Sequence, residues 1–202
     1  KARMRIALVE DEPDQAAQLL APLQHAGHNC RVFATGSLFL QSVCVETYDA
    51  VILDWGLPDM TGIEILDAVR LRHEALPVLF VSCRDAENDV VEALMRGADD
   101  FIVKPARKAE LLARLDALTR RKAGKLQSGH IHAPPYIFDL TRREVTIDGV
   151  PVELPPRLFH LATVFFGKAS ILLSRAYLME TVWGQEERVK TRTLDFHVSQ
   201  LR

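Results

Sequence analysis

Glu10-Asp11, Asp54, Ser82 and Lys104 each directly follow a short, mostly apolar run. The runs are Arg5-Ile6-Ala7-Leu8-Val9, Asp49-Ala50-Val51-Ile52-Leu53, Pro77-Val78-Leu79-Phe80-Val81 and Phe101-Ile102-Val103. Three acids, a hydroxyl and a lysine at one point suit a divalent cation and a phosphoryl group. Carboxylates supply the oxygen ligands that a hard cation prefers. A carboxylate can also attack phosphorus and become an acyl phosphate, and Asp54 is the candidate nucleophile. A cation and the Lys104 ammonium would neutralise charge on the transferring oxygens, and Ser82 could donate a hydrogen bond to one of them.

That chemistry requires the residues to converge. If the runs are parallel strands of one sheet, their loops meet at its carboxyl edge, where open α/β sheets bind ligands. The intervening segments read as helices. Pro13 and Asp14 fit a helix start, with Ala17, Leu19-Leu20 and Leu23 as its stripe. Thr61-Gly62 opens another helix, with Ile63, Leu66, Val69 and Leu71 as its buried set. Asp85 is placed to N-cap a helix that Gly97 ends, and Leu111, Leu115 and Leu118 mark a further one. With Val32-Phe33-Ala34 as a fifth strand, alternating strands and helices predict a parallel sheet covered on both faces.

Residues 119–135 change character. Charged residues, then Gln127-Ser128-Gly129 and Pro134-Pro135, lack apolar periodicity and read as a linker that includes His130-Ile131-His132. Beyond it, Tyr136-Ile137-Phe138-Asp139-Leu140 and Arg143-Glu144-Val145-Thr146-Ile147 alternate like strands, Asp148-Gly149 signals a tight turn, and Val152-Glu153-Leu154 fits a third strand. Three helices are then predicted: from Pro155-Pro156, after Ser174 as far as Gly184, and from about Thr191. In the last, Leu194, Val198 and Leu201 face inward, which leaves Arg192, Asp195, His197, Gln200 and Arg202 outward.

Charge divides the same way. Residues 1–122 carry 15 basic against 19 acidic side chains, net −4, whereas residues 123–202 carry 10 against 8, net +2. The stretch 188–202 alone holds four basic residues and one acid. This fits a regulated module joined to an anion-binding one. The 48% hydrophobic content of the 202 residues fits ordinary globular cores. No run approaches the ~18 apolar residues that a membrane-spanning helix needs. Met4 is the expected natural start, and no signal peptide is read ahead of the first strand. Cys30, Cys44 and Cys83 are odd in number and widely spaced, as expected of reduced thiols in a cytoplasmic protein, with Cys83 as a buried small residue.

Glu10-Asp11, Leu53-Asp54-Trp55-Gly56-Leu57-Pro58-Asp59, Ser82 and Gly97-Ala98-Asp99-Asp100-Phe101-Ile102-Val103-Lys104-Pro105 resemble the landmarks of a bacterial response-regulator receiver domain. Residues 136–202 resemble the winged helix-turn-helix effector of OmpR/PhoB-type regulators. The match rests on Arg142-Arg143-Glu144-Val145-Thr146-Ile147-Asp148-Gly149, Leu173-Ser174-Arg175, Val182-Trp183-Gly184 and the stretch from Arg192 to Arg202. Leu158 departs from that pattern, standing where the family usually has Glu.

The resemblance implies a flavodoxin-like (βα)5 receiver over 1–121, a linker over 122–135 and a smaller α+β winged-helix domain over 136–202. It implies phosphorylation of Asp54 by a sensor histidine kinase, with Mg2+ held by Glu10, Asp11, Asp54 and the Gly56 carbonyl. Ser82 and Lys104 would assist, Ser82 and Phe101 would switch, and Lys104-Pro105 would be cis. Phosphorylation would favour a homodimer through the fourth helix, fifth strand and fifth helix, with Asp100 and Arg114 as an intersubunit ion pair. Val90 and Met95 are apolar where that face usually carries charges, and Asp116 stands where a base is common. Arg192, His197 and Arg202 would contact phosphates of double-stranded DNA, and Gln200 would read a base. RNA polymerase is a further expected partner. The family continues from the last helix into a β-hairpin wing, which this sequence does not reach.

Three other classes place different demands on these residues. An aspartyl-phosphate phosphatase would carry its nucleophile after the first strand in an Asp-x-Asp pattern, whereas Asp54 follows the third. A flavodoxin-like redox protein would need a Ser/Thr/Gly phosphate loop where Glu10-Asp11 stands. A receiver coupled to a protein-binding output module fits the first half equally well.

Overall fold

Strand-like runs separated by helices leave few ways to build a sheet, because parallel strands need right-handed crossovers. The computed structural model describes residues 3–122, 129–169, 171–184 and 192–201. The chain divides into two units, Lys1–Lys122 and Ala123–Arg202.

In the first unit the strands are β1 (Arg5–Val9), β2 (Asn29–Phe33), β3 (Ala50–Leu53), β4 (Val78–Ser82) and β5 (Asp100–Val103). The helices are α1 (Pro13–His25), α2 (Gly36–Val43), α3 (Gly62–Arg72), α4 (Glu87–Met95) and α5 (Lys108–Lys122). All strands are parallel in the order β2-β1-β3-β4-β5. Alternate residues feed two cores: Ala7, Val9, Val51, Leu53 and Phe80 join α2 and α3 on one face. Ile6, Leu8, Ile52, Leu79 and Val81 join α1 and α5 on the other. This is the flavodoxin-like arrangement expected.

Helix ends fix the loops. Thr61 and Glu64 form a reciprocal capping box at the start of α3. Glycine is required at position 62, where a Cβ would lie 2.5 Å from the Asp54 carbonyl oxygen. α4 is held unevenly. Its N-cap is Ala86, which makes no side-chain cap bond, rather than Asp85. At its far end, Arg70 of α3 donates to the carbonyls of Gly97 (2.9 Å) and Leu76 (2.7 Å) and to Asp99 (2.9 Å). Arg96 meanwhile pairs with Asp67 at 2.7 Å. Leu71, expected inside, is 86% exposed because α3 turns it away from the sheet.

The second unit holds an antiparallel sheet of β6 (His130–Ala133), β7 (Tyr136–Asp139), β8 (Glu144–Ile147) and β9 (Val150–Val152) in that order. Helices α6 (Pro156–Gly167), α7 (Arg175–Trp183) and α8 (Arg192–Gln200) follow. Asp148 and Gly149 both have positive φ, 50° and 80°, as a tight hairpin turn demands. The expected linker over 122–135 is corrected at both ends: α5 runs through Lys122, and His130-Ile131-His132 is strand, with Ile131 buried against Phe138 and Phe159. Residues 123–128 of that linker lie outside the described residues. The strand expected at 152–154 lies at Val150–Val152 instead. α7 starts after Ser174, whose hydroxyl accepts from the Tyr177 N–H, and ends at Gly184. No helix among the described residues is long and apolar enough to cross a membrane.

Candidate functional site

β1 and β3 are neighbours, so the residues that follow them are brought together. The Asp54 N–H donates to the Val9 carbonyl (3.0 Å), which seats Asp54 beside Glu10. Carboxylate oxygens of Glu10, Asp11 and Asp54 all lie within 4.8 Å of one another. Lys104 arrives from the end of β5, after its N–H bonds the Ser82 carbonyl at 2.8 Å. Its Nζ lies 2.7 Å from Glu10 Oε2 and 3.4 Å from Asp54 Oδ2. The Lys104-Pro105 bond is cis, as the resemblance implied.

The electrostatics follow from burial. Glu10 is only 2% exposed, and burial pushes its carboxyl above the usual range. Lys104 and the Glu12 N–H oppose that push, while the Asp54 charge reinforces it. Burial alone would lower the Lys104 ammonium, but its bond to Glu10 and the charges of Asp54 and Glu10 hold it above its ordinary value. Three carboxylates against one ammonium leave negative charge in excess. The donor set, all oxygen and crowded, fits a divalent cation such as Mg2+.

Ser82 is buried at the end of β4, and its Oγ accepts from the Arg84 N–H at 3.3 Å. Phe101 is buried and stacks on Phe80 at 6.0 Å, and Phe80 meets Trp55 at 5.6 Å. The Arg84 guanidinium lies 5.0 Å over the Trp55 ring, a contact that sequence spacing does not reveal. Gly56 is exposed in the β3–α3 loop and bridges to Thr61. Asp59 ties that loop down, accepting from the N–H groups of Gly36 and Ser37 at the start of α2, both at 2.9 Å. Cys83, expected to be buried, is exposed and lines a groove with Gln15, Gln18 and Lys104, because β4 ends at Ser82.

The expected dimer residues pair within one chain. Arg114 Nη1 lies 3.0 Å from both carboxylate oxygens of Asp100. α4 exposes Val91, Leu94 and Met95, and the end of the edge strand β5 exposes Val103.

In the second unit, α8 turns Leu194, Val198 and Leu201 into a core with Leu161, Leu178, Val182 and Trp183. Arg192 and Gln200 are exposed. His197, expected outward, is half-buried: its ring meets Trp183 edge-on at 5.2 Å, and Nδ1 lies 2.7 Å from the Thr193 carbonyl. Arg202 and Thr191 lie outside the described residues.

Residues 6–116 match the family of response regulator receiver domains, and residues 149–202 match the family described as transcriptional regulatory protein, C terminal. The chain belongs to the OmpR/PhoB-type response regulators. It is therefore a DNA-binding regulator of a two-component system, and the protein-binding output module is set aside by the C-terminal match. This regulator is 34% identical over 200 residues to the transcriptional regulatory protein PrrA of Mycobacterium tuberculosis, covering 98% of this chain and 86% of that one. It is 35% identical over 201 residues to the sensory transduction protein RegX3 of Mycolicibacterium smegmatis, covering 98% and 88%. Among solved structures it is similar to the response regulator DrrB, a Thermotoga maritima OmpR/PhoB homologue. That likeness has 27% identity and a TM-score of 0.52, and covers 99% of this chain and 88% of that one.

Proposed function

We propose that a sensor histidine kinase phosphorylates this regulator on Asp54 in the cytoplasm, and that the regulator then acts on transcription as a homodimer. The observation that carries the reading is the meeting of the Glu10, Asp11 and Asp54 carboxylates with the Lys104 ammonium at 2.7 and 3.4 Å. Glu10, Asp11, Asp54 and the Gly56 carbonyl would hold Mg2+, which when bound neutralises charge on the phosphoryl oxygens. The Asp54 carboxylate forms a P–O bond in line as the P–N bond to the kinase's phosphohistidine breaks and the imidazole leaves with the kinase; the protein so assists transfer to itself rather than turning over a substrate. Lys104 shifts toward the arriving oxygens, and the Ser82 hydroxyl donates to one of them. Phe101 follows Ser82 and carries the change toward α4 and β5.

The two units divide these tasks, with the receiver reaching Lys122 and the effector beginning at His130. The face of α4, β5 and α5 would pair two copies, with Asp100 and Arg114 exchanging their intrachain bond for an intersubunit one. α8 then enters the major groove, with Arg192 and Arg202 on phosphates and Gln200 on a base, while His197 packs against Trp183 and supports the helix. RNA polymerase receives the output at the promoter.

Incubation with acetyl phosphate and Mg2+, followed by intact-mass measurement, tests the reading. One phosphoryl group is expected on the wild type, and none on Asp54→Asn or on either protein with excess chelator. Stoichiometric modification of Asp54→Asn would refute the assignment.

A further inference from the structure

His130 and His132 stand two positions apart on β6, and strand alternation puts both on the face opposite the buried Ile131. His130 is paired across the sheet with Asp139 of β7, so that carboxylate joins the same face. His130 Nε2 lies 3.3 Å from Asp139 Oδ2, and the two imidazole rings are 6.2 Å apart, centre to centre. An exposed histidine–carboxylate pair adds little to stability, and it has no use for a second imidazole beside it.

The carboxylate is aimed. Asp139 Oδ1 accepts from the N–H groups of Thr141 and Arg142, both at 2.9 Å, which fixes the group and leaves Oδ2 on the side of the histidine. Outer bonds of this kind orient metal ligands. Two ligand atoms on one tetrahedral zinc ion, each about 2.0–2.1 Å from the metal, lie about 3.3 Å apart. The spacing of His130 Nε2 and Asp139 Oδ2 matches that edge. Two imidazoles on such an ion have ring centres about 5 Å apart, so the exposed His132 has roughly 1 Å to close by rotating its side chain. The surroundings favour positive charge: Arg142 Nε already stands 4.0 Å from Oδ2, and Glu144 of β8 is paired with Asp139 on the same face. Two nitrogens and one carboxylate oxygen select a borderline transition ion over Mg2+, which takes an all-oxygen shell.

We propose that His130, His132 and Asp139 form a second metal site, on the outer face of the effector sheet, that takes Zn2+ with water in the remaining position. Bound there, the ion clasps the edge strand β6 to β7. The site is separate from the Glu10, Asp11 and Asp54 cluster, and it stands whether or not α8 reads DNA.

The test is calorimetric titration of the full chain with zinc chloride, with Mg2+ in excess to occupy the acidic cluster. One Zn2+ per chain is expected in the micromolar range. His130→Ala, His132→Ala and Asp139→Asn should each weaken that uptake at least about tenfold. Asparagine keeps the acceptor for the Thr141 and Arg142 N–H groups, and melts without zinc check that each variant is folded. His25→Ala, which removes an exposed histidine of α1, should bind as wild type does. Zn2+ should also raise the melting temperature of the wild type and not that of His132→Ala. No uptake in the presence of Mg2+, or uptake that His132→Ala leaves unaltered, overturns the site. Uptake lost in Asp54→Asn instead would belong to the acidic cluster and overturns it as well.

Discussion

Lys104 and Glu10 stand 94 positions apart in the chain, and their side chains meet at 2.7 Å. The contact spans the sheet from the end of β5 to the end of β1. It gives the nearly buried Glu10 carboxylate a cation of the protein's own. A divalent ion bound there would compete with the lysine for the same oxygens, and its charge would free Lys104, which is held near Asp54 at 3.4 Å.

Replacing Lys104 by alanine should slow acetyl phosphate modification of Asp54 by ~tenfold or more, because one neutralising charge is lost. It should also cost on the order of 1–3 kcal/mol in urea unfolding, since a buried acceptor loses its partner. Lys108→Ala, at the exposed start of α5, is the control, and equal effects of the two changes would remove Lys104 from its role.

Asp59 makes stability depend on acid. The Ser37 hydroxyl, then the Ser37 and Gly36 N–H groups, hold its carboxyl down at about 2, against an ordinary 3.8. A depressed carboxyl stabilises the fold above its unfolded value, and that stabilisation fades as pH falls through its folded value. Asp59→Asn should therefore be less stable than wild type at pH 7, with the difference shrinking between about pH 4 and about pH 2. Thermal melts across that range measure it, and a pH-independent difference contradicts the assignment.

The apolar stripe on α4 gives a third prediction. Met95 is 83% exposed, so Met95→Glu should leave the melting temperature nearly unchanged. Two copies pressed together there would bury two new charges, so phosphorylation-driven dimerisation should be lost in sedimentation experiments. Equal dimerisation of variant and wild type would place the interface elsewhere.

Gln200 and Arg192 should separate base reading from backbone gripping. Glutamine suits adenine N6 and N7, whereas arginine suits guanine O6 and N7. Gln200→Arg should move preference from adenine to guanine at one position per half-site, by ~1–3 kcal/mol of discrimination. Arg192→Ala should weaken all sequences alike and flatten the salt dependence. Even weakening by Gln200→Arg would mean that Gln200 touches backbone or solvent.

The convergence of Glu10, Asp54, Ser82 and Lys104 was legible in the sequence because each ends or follows a mostly apolar strand, and parallel strands align their ends. Thr61-Gly62 and Asp148-Gly149 were legible because their backbone demands are local. β6 was not: His130-Ile131-His132-Ala133 is a four-residue edge strand with one buried side chain, next to a charged and glycine-containing stretch. Leu71 lies outside the buried stripe because helical spacing gives a stripe but not its width. The contact of Arg84 with Trp55 joins elements whose mutual placement is not encoded in sequence spacing.

The uneven tethering of α4 decides which of its ends can travel. Its carboxyl end is riveted to α3 through Arg70 and Arg96, while its amino end begins at an uncapped Ala86. A displacement of the helix would then pivot about the riveted end, as a door swings about its hinge. The widest arc falls at Glu87, only five residues after Ser82, so a small event beside Asp54 is handed to the moving edge of the door.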